Sequence, residues 1–336
     1  MEIIEESIGG TFSRIDPEEH RRWAQKEKAR ALRDKVMDIR EAVGRYVEDG
    51  SYVVFGGFGH VRVPMIALYE IIRQRKKALD ISAHPGCHAV DLLAAAGCMR
   101  RVDRAYGGGH EVRGLSPAFR RAVEAGELEV VEWSNAGLAW RFKAAAVGVP
   151  FLPSRVMLGT DTFWHSAAKV VRCPFTGMKL CLVPACFPDV SIIHVHRCDR
   201  YGNAQIDGIT VEDTDIARAS RRLILTTEEV VDTEEIRGRP WETAIPYYLV
   251  DAVVEAPWGA HPTNMPYLYY FDEEHISEWL RMARTPEGAG EYLVRYVYGV
   301  DSFEEYLERV GGVRKLSYLR RLEHYRAPLE TPWARR

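Results

Sequence analysis

The sequence predicts an α/β fold, with an open, mainly parallel β-sheet, helices on both faces of the sheet and a helical C-terminal cover. Between residues 51 and 147, short apolar segments rich in β-branched residues alternate with helical patterns. Parallel strands need such crossover connections. The strand segments are continuously apolar, which is typical of strands covered on both faces. After residue 273 the pattern is helical, and this predicts the cover.

The elements follow in order along the chain. Four strand–helix units are predicted, with strands at 51–55, 79–83, 102–106 and 128–131 and helices at 63–72, 89–96, 117–125 and 138–147. Further strands are predicted at 191–196, 222–225 and 249–255. Further helices are predicted at 273–284, 287–298, 302–310 and 313–324. Residues 150–190 contain five prolines, which predicts an irregular excursion with short strands.

The N-terminal segment differs from the rest in its charge. Residues 14–48 are dense in charged residues and helix formers, and Asp16-Pro17 is typical of a helix start. This pattern predicts a solvated helix with charge pairs of mixed sign, and the alternative is a basic arm. Because no linker divides the remaining chain, we expect a charged helical extension over residues 1–35, a single α/β domain over 36–325 and a tail over 326–336.

Composition narrows the classes of function. The 336 residues include 45 Lys and Arg and 48 Asp and Glu, a formal net charge of −3. Such a balance gives no bulk attraction to nucleic acid or to acidic membranes. The six cysteines form no C-x-x-C pair, and neither a signal-peptide core nor an apolar run of spanning length is present. We therefore expect a protein of a reducing, cytoplasmic compartment.

A glycine-rich turn joins the first predicted strand of the sheet to its helix. Gly56, Gly57, Phe58 and Gly59 form it, and such turns can place unpaired backbone N–H groups where negative charge develops. A dinucleotide-binding turn would need glycine at the sixth position, which is Arg62, and an acid about 20 residues further on. The alternative is that these glycines only allow tight packing.

Polar residues follow the third and fourth predicted strands at their carboxyl ends, where open parallel sheets bind ligands. Glu111 is a candidate carboxylate in a cleft, and the alternative is a surface acid. Ser134 and Asn135 can hydrogen-bond a carbonyl or carboxylate group, and the alternative is a helix N-cap. Thr160 lies in a polar turn of the excursion and is a further candidate for substrate binding.

Two histidine groups suggest metal ligands. His194 and His196 point to one face of a strand, and His84, Cys87 and His88 lie close together in sequence. A catalytic zinc site would need further ligands at matched spacing. We therefore predict no metal. The nucleophile motif of serine hydrolases is also absent.

Residues 49–64 resemble the signature of the A (alpha) subunit of family I coenzyme A transferases. They contain an Asp-Gly pair, three apolar residues, Gly-Gly-Phe, and a proline six residues after the phenylalanine. Arg62 departs from this signature, which usually has glycine there. The resemblance covers roughly residues 36–320. Several further segments resemble the glutaconate CoA-transferase branch, namely 116–124, 128–135, 141–146, 158–161 and 201–204.

The resemblance implies a pair of similar α/β subunits with the active site between them. It implies that a B (beta) subunit carries the catalytic glutamate in a Ser-Glu-Asn-Gly motif, which this sequence lacks. The nucleophilic residue is thus expected on the partner subunit, and no catalytic residue is expected in this chain. The implied substrates are a coenzyme A thioester and a carboxylic or dicarboxylic acid, with no permanently bound cofactor. The residues expected to line the acyl-CoA site are Gly56, Gly57, Phe58 and Gly59.

A related branch implies an alternative function. Some similar subunit pairs are CoA-thioester hydrolases that open steroid-derived rings, and the resemblance implies an acidic residue near the position of Asn135 in them. Residues 133–137 contain no carboxylate, which favours the transferase. A CoA-binding subunit without enzymatic activity is a third interpretation.

Overall fold

The computed structural model describes residues 2–13, 16–84, 86–106 and 109–324. The strands are β1 (Ile3–Glu6), β2 (Tyr52–Phe55), β3 (Leu79–Ala83), β4 (Met99–Ala105), β5 (Glu129–Trp133), β6 (Phe151–Ser154), β7 (Lys169–Arg172), β8 (Lys179–Pro184), β9 (Val190–Asp199), β10 (Ala204–Gln205), β11 (Arg222–Val231), β12 (Thr243–Ile245) and β13 (Ala252–Glu255). The α-helices are α1 (Pro17–Lys26), α2 (Ile39–Tyr46), α3 (Met65–Arg73), α4 (Cys87–Ala95), α5 (Pro117–Glu124), α6 (Asn135–Val147), α7 (Asp161–Trp164), α8 (Asp213–Ala219), α9 (Thr233–Gly238), α10 (Glu273–Met282), α11 (Pro286–Leu293), α12 (Phe303–Arg309) and α13 (Gly312–Glu323).

A nine-stranded, mainly parallel sheet forms the centre of the fold, as the sequence predicts. β13, β11, β9, β2, β3, β4 and β5 lie side by side and run parallel. The short strands β10 and β12 continue from β9 as antiparallel partners. The four predicted strand–helix units are confirmed as β2–α3, β3–α4, β4–α5 and β5–α6.

Both faces of the main sheet are covered. Val53 and Phe55 of β2 pack into an apolar cluster that includes residues of α3, α4 and the C-terminal helices. Tyr52 and Val54 point to the opposite face and pack with residues of α6 and α8. Every residue of β2 is therefore buried, which explains why this strand is continuously apolar.

Residues 150–190 contain the predicted short strands, and these form a second sheet. Its four antiparallel strands have the order β1-β7-β8-β6. The sequence does not predict β1, whose Ile3 pairs with Val171. A four-residue strand is too short to show a periodicity, and its partner lies far along the chain.

The N-terminal segment begins as predicted but is not one helix. The Asp16 side chain accepts a hydrogen bond from the Glu18 N–H at 2.9 Å and caps α1. The chain then leaves the helix, because two lysines reach acceptors on the main domain. Lys28 Nζ lies 2.8 Å from Asp251 Oδ2, and Lys35 Nζ donates to the Tyr247 carbonyl oxygen at 2.5 Å. A domain boundary at residue 35 stays a prediction, and the tail over 326–336 lies outside the described residues.

The C-terminal cover consists of α10 to α13, in agreement with the sequence. The predicted helix over 287–298 is α11 followed by one stretch of π-helix, Val294–Tyr298. Helices α8 and α9 are not predicted, because each spans fewer than two turns and begins with acidic residues. Within the described residues, no helix combines the length and apolarity needed to cross a lipid bilayer.

Candidate active site

The carboxyl ends of β2, β3, β4 and β5 lie along one edge of the main sheet. Phe55, Ala83, Arg104 and Glu132 are neighbours in the strand register at this edge. The loops that follow these strands therefore leave the sheet at the same edge. They contain the glycine turn and most of the candidate residues, but Gly107 and Gly108 in the third loop lie outside the described residues.

The glycine turn after β2 has a conformation that only glycine adopts without strain. Gly57 has φ +83°, and a Cβ atom there would lie 2.3 Å from the Val61 carbonyl oxygen. The Gly57 N–H donates to Asp213 Oδ1 at 2.9 Å, and the Phe58 N–H donates to Val61 O at 2.9 Å. The turn is thus closed on itself and anchored to the start of α8.

The backbone donors of this turn are already used within the chain. The Gly56 N–H donates to Ile192 O at 2.9 Å, and the Gly59 N–H donates to His84 O at 3.3 Å. The expectation of unpaired N–H groups at Gly56, Gly57, Phe58 and Gly59 is therefore wrong. The reason is that β9, Asp213 and the residues after the turn supply acceptors that the sequence pattern does not show. That these residues line the acyl-CoA site stays a prediction.

The Arg62 side chain stabilises the glycine turn through Asp213. Its side chain is fully buried, and its Nη1 lies 2.5 Å from Asp213 Oδ2, while its Nη2 donates to the Ile209 carbonyl oxygen at 2.7 Å. Asp213 thus joins the Arg62 guanidinium to the Gly57 N–H. The departure from the family signature at Arg62 is part of a buried network that holds the turn in place.

Three buried histidines lie next to the turn. The ring centroids of His60 and His110 are 5.4 Å apart, those of His88 and His110 are 5.6 Å apart, and those of His60 and His88 are 6.4 Å apart. None of their six ring nitrogens forms a hydrogen bond of normal geometry in the described part of the chain, although His60 Nδ1 and His110 Nε2 each have a carboxylate oxygen at 3.5 Å, from Glu111 and Asp91. Burial lowers the pKa of His60 and of His88, so both rings are neutral near pH 7.

Glu111 lies against the same cluster. One of its carboxylate oxygens is 3.5 Å from His60 Nδ1, and the other would lie 2.7 Å from a Cβ atom at Gly59. The neighbouring His60 imidazole lowers the pKa of Glu111, so this carboxylate is ionised at neutral pH. Its side chain is 41% exposed, and Glu111 thus forms the accessible side of the cluster. Its role in substrate binding stays a prediction.

A second buried pair, which sequence reasoning missed, lies on the other side of the turn. His84 Nδ1 contacts a carboxylate oxygen of Glu212, and the Phe58 ring packs edge-on against the His84 ring at 5.0 Å. Burial raises the pKa of Glu212. Glu212 precedes the unpredicted helix α8, so no local pattern indicates that it belongs to the site.

Arg104 is the other residue that sequence reasoning missed. Its guanidinium packs over the Phe119 ring at 4.0 Å, and none of its three nitrogens has a hydrogen-bond partner among the described residues. It lines a cavity of about 350 Å³ together with Tyr106, Glu132 and Trp133. Burial lowers the pKa of Arg104 to about 10, so it stays a cation at neutral pH. A buried cation without a partner is well suited to bind an anion.

Ser134, Asn135 and Thr160 occupy positions that also have local structural roles. Ser134 Oγ accepts from the Gly137 N–H at 3.0 Å and caps α6, whose exposed first residue is Asn135. Thr160 Oγ1 donates to the Met157 carbonyl oxygen at 2.8 Å and caps α7. β5 is three strands from β2, or about 14 Å at the usual strand spacing. Substrate contact by these three residues stays a prediction.

The strand histidines have protein partners on both nitrogens. His194 Nδ1 contacts Thr226 Oγ1 and its Nε2 contacts Glu228 Oε1, both at 2.8 Å. His196 Nδ1 accepts from the Asp207 N–H at 3.0 Å, and its Nε2 donates to the Pro266 carbonyl oxygen at 2.9 Å. These two histidines thus have a structural role.

The sequence and the fold of this chain are similar to those of known proteins. The family described as "Coenzyme A transferase" matches residues 36–256. The chain is 35% identical over 280 residues to the alpha subunit of 3-oxoadipate CoA-transferase from Pseudomonas knackmussii, covering 82% of this chain and 98% of that one. It is 31% identical over 281 residues to the cholesterol ring-cleaving hydrolase IpdA subunit of Rhodococcus jostii, covering 80% and 93%.

The similarity to glutaconate CoA-transferase extends to the structure. The alpha subunit of the Acidaminococcus fermentans enzyme is 32% identical to this chain over 300 residues, covering 84% of this chain and 94% of that one. The crystal structure of glutaconate coenzyme A-transferase from the same organism superimposes with a TM-score of 0.80, covering 85% of this chain and 95% of that one.

Proposed function

Because this chain belongs to the coenzyme A transferase family, we propose that it is the alpha subunit of a two-subunit enzyme that moves CoA between an acyl-CoA and a carboxylic acid. The observation that carries this proposal is the nearly end-to-end similarity to the alpha subunits of two CoA-transferases. The lack of a Ser-Glu-Asn-Gly motif supports the assignment of the nucleophile to a beta subunit.

The proposed reaction begins on the partner. A glutamate carboxylate of the beta subunit reacts with the thioester carbonyl carbon, and the CoA thiolate leaves to give an acyl–glutamyl anhydride. The thiolate then attacks the glutamyl carbonyl, releases the first acid and leaves a glutamyl-CoA thioester. A second acid reverses these steps and leaves as the new acyl-CoA. This chain contributes a rigid wall, because the Gly57–Asp213–Arg62 network fixes the turn.

The buried Arg104 supports an acid substrate with a second carboxylate. The names of two relatives refer to 3-oxoadipate and glutaconate, which are both dicarboxylates. In the proposed complex, Arg104 binds the distal carboxylate of the acyl group in its cavity, two strands from the glycine turn. Ser134, Asn135 and Thr160 are further candidates for substrate contact.

The test uses this chain together with a beta-type subunit that carries a Ser-Glu-Asn-Gly motif. A panel of acyl-CoA donors is assayed against acetate and dicarboxylates, and the new acyl-CoA and the free thiol are both measured. We expect transfer only from the pair, with no net release of CoA. Transfer by this chain alone would contradict the proposal. Ring opening of a cyclic acyl-CoA without an acceptor acid, with the CoA thioester retained, would instead support the related ring-opening hydrolase.

The role of Arg104 has its own test. Arg104→Gln should raise KM for a dicarboxylic substrate by about 10- to 100-fold, the usual effect of losing a charged hydrogen bond. KM for acetate should change much less. Arg120→Gln is the control, because Arg120 lies exposed on α5 and pairs with Glu124. An equal effect on both acids would contradict the assignment of the distal carboxylate to Arg104.

A further inference from the structure

Three residues that follow three adjacent parallel strands converge beside the glycine turn. His60 follows β2, Cys87 follows β3 and Glu111 follows β4. One side-chain atom from each, a ring nitrogen, the sulfur and a carboxylate oxygen, lies within 4.8 Å of the other two. In a tetrahedral zinc site with bonds of about 2.0–2.3 Å, ligand atoms lie roughly 3.3–3.8 Å apart. One Glu111 oxygen and His60 Nδ1, 3.5 Å apart, already lie in this range.

The polar groups of this cluster are not explained by the fold. His60 is 3% exposed and His88 and His110 are fully buried, yet none of their ring nitrogens forms a hydrogen bond of normal geometry among the residues that the structure describes. His60 Nδ1 and His110 Nε2 each have a carboxylate oxygen at 3.5 Å, from Glu111 and Asp91. A buried polar group without a partner costs about 1–3 kcal/mol, so the four nitrogens that lack even such a contact are unusual in one place. A bound metal ion would supply the missing interaction for the lone pair of a ring nitrogen.

We propose that His60, Cys87 and Glu111 bind a divalent metal ion of the zinc class, with a fourth coordination position open on the side of the exposed Glu111 carboxylate. A set of one nitrogen, one sulfur and one oxygen ligand suits borderline-soft ions such as Zn²⁺ and Co²⁺ and does not suit Mg²⁺ or Ca²⁺. Three protein ligands with an open position are typical of sites where a water or substrate oxygen completes the shell.

Charges of both signs surround the cluster. The guanidinium groups of Arg104 and Arg113 both act electrostatically on the Cys87 thiol, and Arg113 Nη1 lies 3.6 Å from a Glu111 oxygen. Arg113 is itself neutralised by Glu273, with Nη2 2.6 Å from the Glu273 carboxylate. The sequence-based prediction of no metal rested on spacing along the chain, and these three ligands are separated by two strand–helix units.

The experiment titrates the full-length chain with Co²⁺ and records its absorption spectrum. Stoichiometric binding should produce visible d–d bands and a near-ultraviolet thiolate-to-cobalt charge-transfer band, and Zn²⁺ should displace Co²⁺ with loss of both. Cys87→Ser should remove the charge-transfer band. Cys98→Ser is the matched control, because Cys98 is equally buried but lies before β4, at the opposite edge of the sheet. It should leave the spectrum unchanged.

A second variant keeps the test decisive if Cys87→Ser does not fold. Glu111→Gln changes a side chain that is 41% exposed and should fold. It should weaken Co²⁺ binding by at least about 100-fold, because loss of an outer-shell partner alone costs 10- to 100-fold. Absence of saturable Co²⁺ binding, a charge-transfer band that persists in Cys87→Ser, or unchanged affinity in Glu111→Gln would each overturn the proposal. Since the readout is metal binding, its failure leaves the proposed CoA transfer untouched.

Discussion

Two groups of buried histidines in this molecule have opposite surroundings. Under the C-terminal cover, His261 Nδ1 lies 2.7 Å from Tyr306 Oη and its Nε2 lies 3.2 Å from Asp272 Oδ2. His275 Nε2 contacts the hydroxyl of Tyr292 at 2.7 Å. The other group is His60, His88 and His110, at the carboxyl edge of the sheet. Their ring nitrogens form no hydrogen bond of normal geometry among the described residues, and the carboxylate oxygens beside His60 Nδ1 and His110 Nε2 lie at 3.5 Å.

The difference distinguishes a structural cluster from a binding site. Both groups are buried to a similar degree, so burial does not tell them apart. The paired histidines stabilise the fold, whereas the unpaired ones cost stability that a ligand can restore. Asp91 lies between the two regions, because it accepts from Trp279 Nε1 at 2.8 Å and lies 3.5 Å from His110 Nε2.

The largest loss of stability is expected when the buried ion pair between Asp213 and Arg62 is broken. Asp213→Asn leaves the buried Arg62 guanidinium without its counter-ion, and breaking a buried ion pair costs about 3–5 kcal/mol. We expect a loss of that size in the free energy of unfolding, measured with urea. Asp215→Asn is the control on the same helix, since Asp215 has only a 3.6 Å contact with Lys143, which is half exposed. An equal loss in both variants would show that the pair does not hold the turn.

A smaller effect separates two glycines of the turn. Gly57→Ala should cost roughly 2–5 kcal/mol, because a positive φ costs about 1–2 kcal/mol and the new Cβ would meet backbone atoms. At Gly59 a Cβ would meet only the end of the Glu111 side chain, so Gly59→Ala should cost less. Differential scanning calorimetry of both variants shows which one loses more stability, with Gly238→Ala as the control.

The comparison of histidines is tested directly by two matched substitutions. His261→Leu removes two hydrogen bonds and should lower the free energy of unfolding by about 2–4 kcal/mol. His88→Leu removes a ring whose nitrogens have no partner, so it should leave the free energy of unfolding unchanged or raise it. Urea unfolding in the presence of a chelator measures both. Equal losses would contradict the distinction between the two groups.

The smallest effect is a dependence on pH in the paired region. Burial by itself raises the pKa of Asp272. The hydrogen bond from His261 and the Lys315 ammonium group outweigh this effect and lower the pKa to about 2. A carboxyl whose pKa is lower in the folded state stabilises the fold above its unfolded pKa, and this contribution is lost as pH falls from about 4 to about 2. Asp272→Asn should therefore be less stable than the unchanged chain by about 2 kcal/mol at pH 7. The difference should shrink toward pH 2, and a constant difference would contradict the assignment.

Local patterns were sufficient for most of the fold. The continuous apolar strands, the glycine turn and the helix starts at Asp16 and Ser134 depend on neighbours within a few residues, and the structure contains each of them. Helix α8 was not predicted because its seven residues are too few to display a helical period. β1 was not predicted because its partner is distant in sequence.

The sequence by itself determined the family, the parallel sheet and the position of the glycine turn, because each depends on residue types at short, regular spacing. Only the tertiary structure decided that the N–H groups of the turn donate within the chain and which buried histidines are paired. The same holds for the meeting of His60, Cys87 and Glu111. The physical reason is that the strand register brings together side chains from separate loops, and whether a buried polar atom finds a partner depends on chain segments that no local pattern connects.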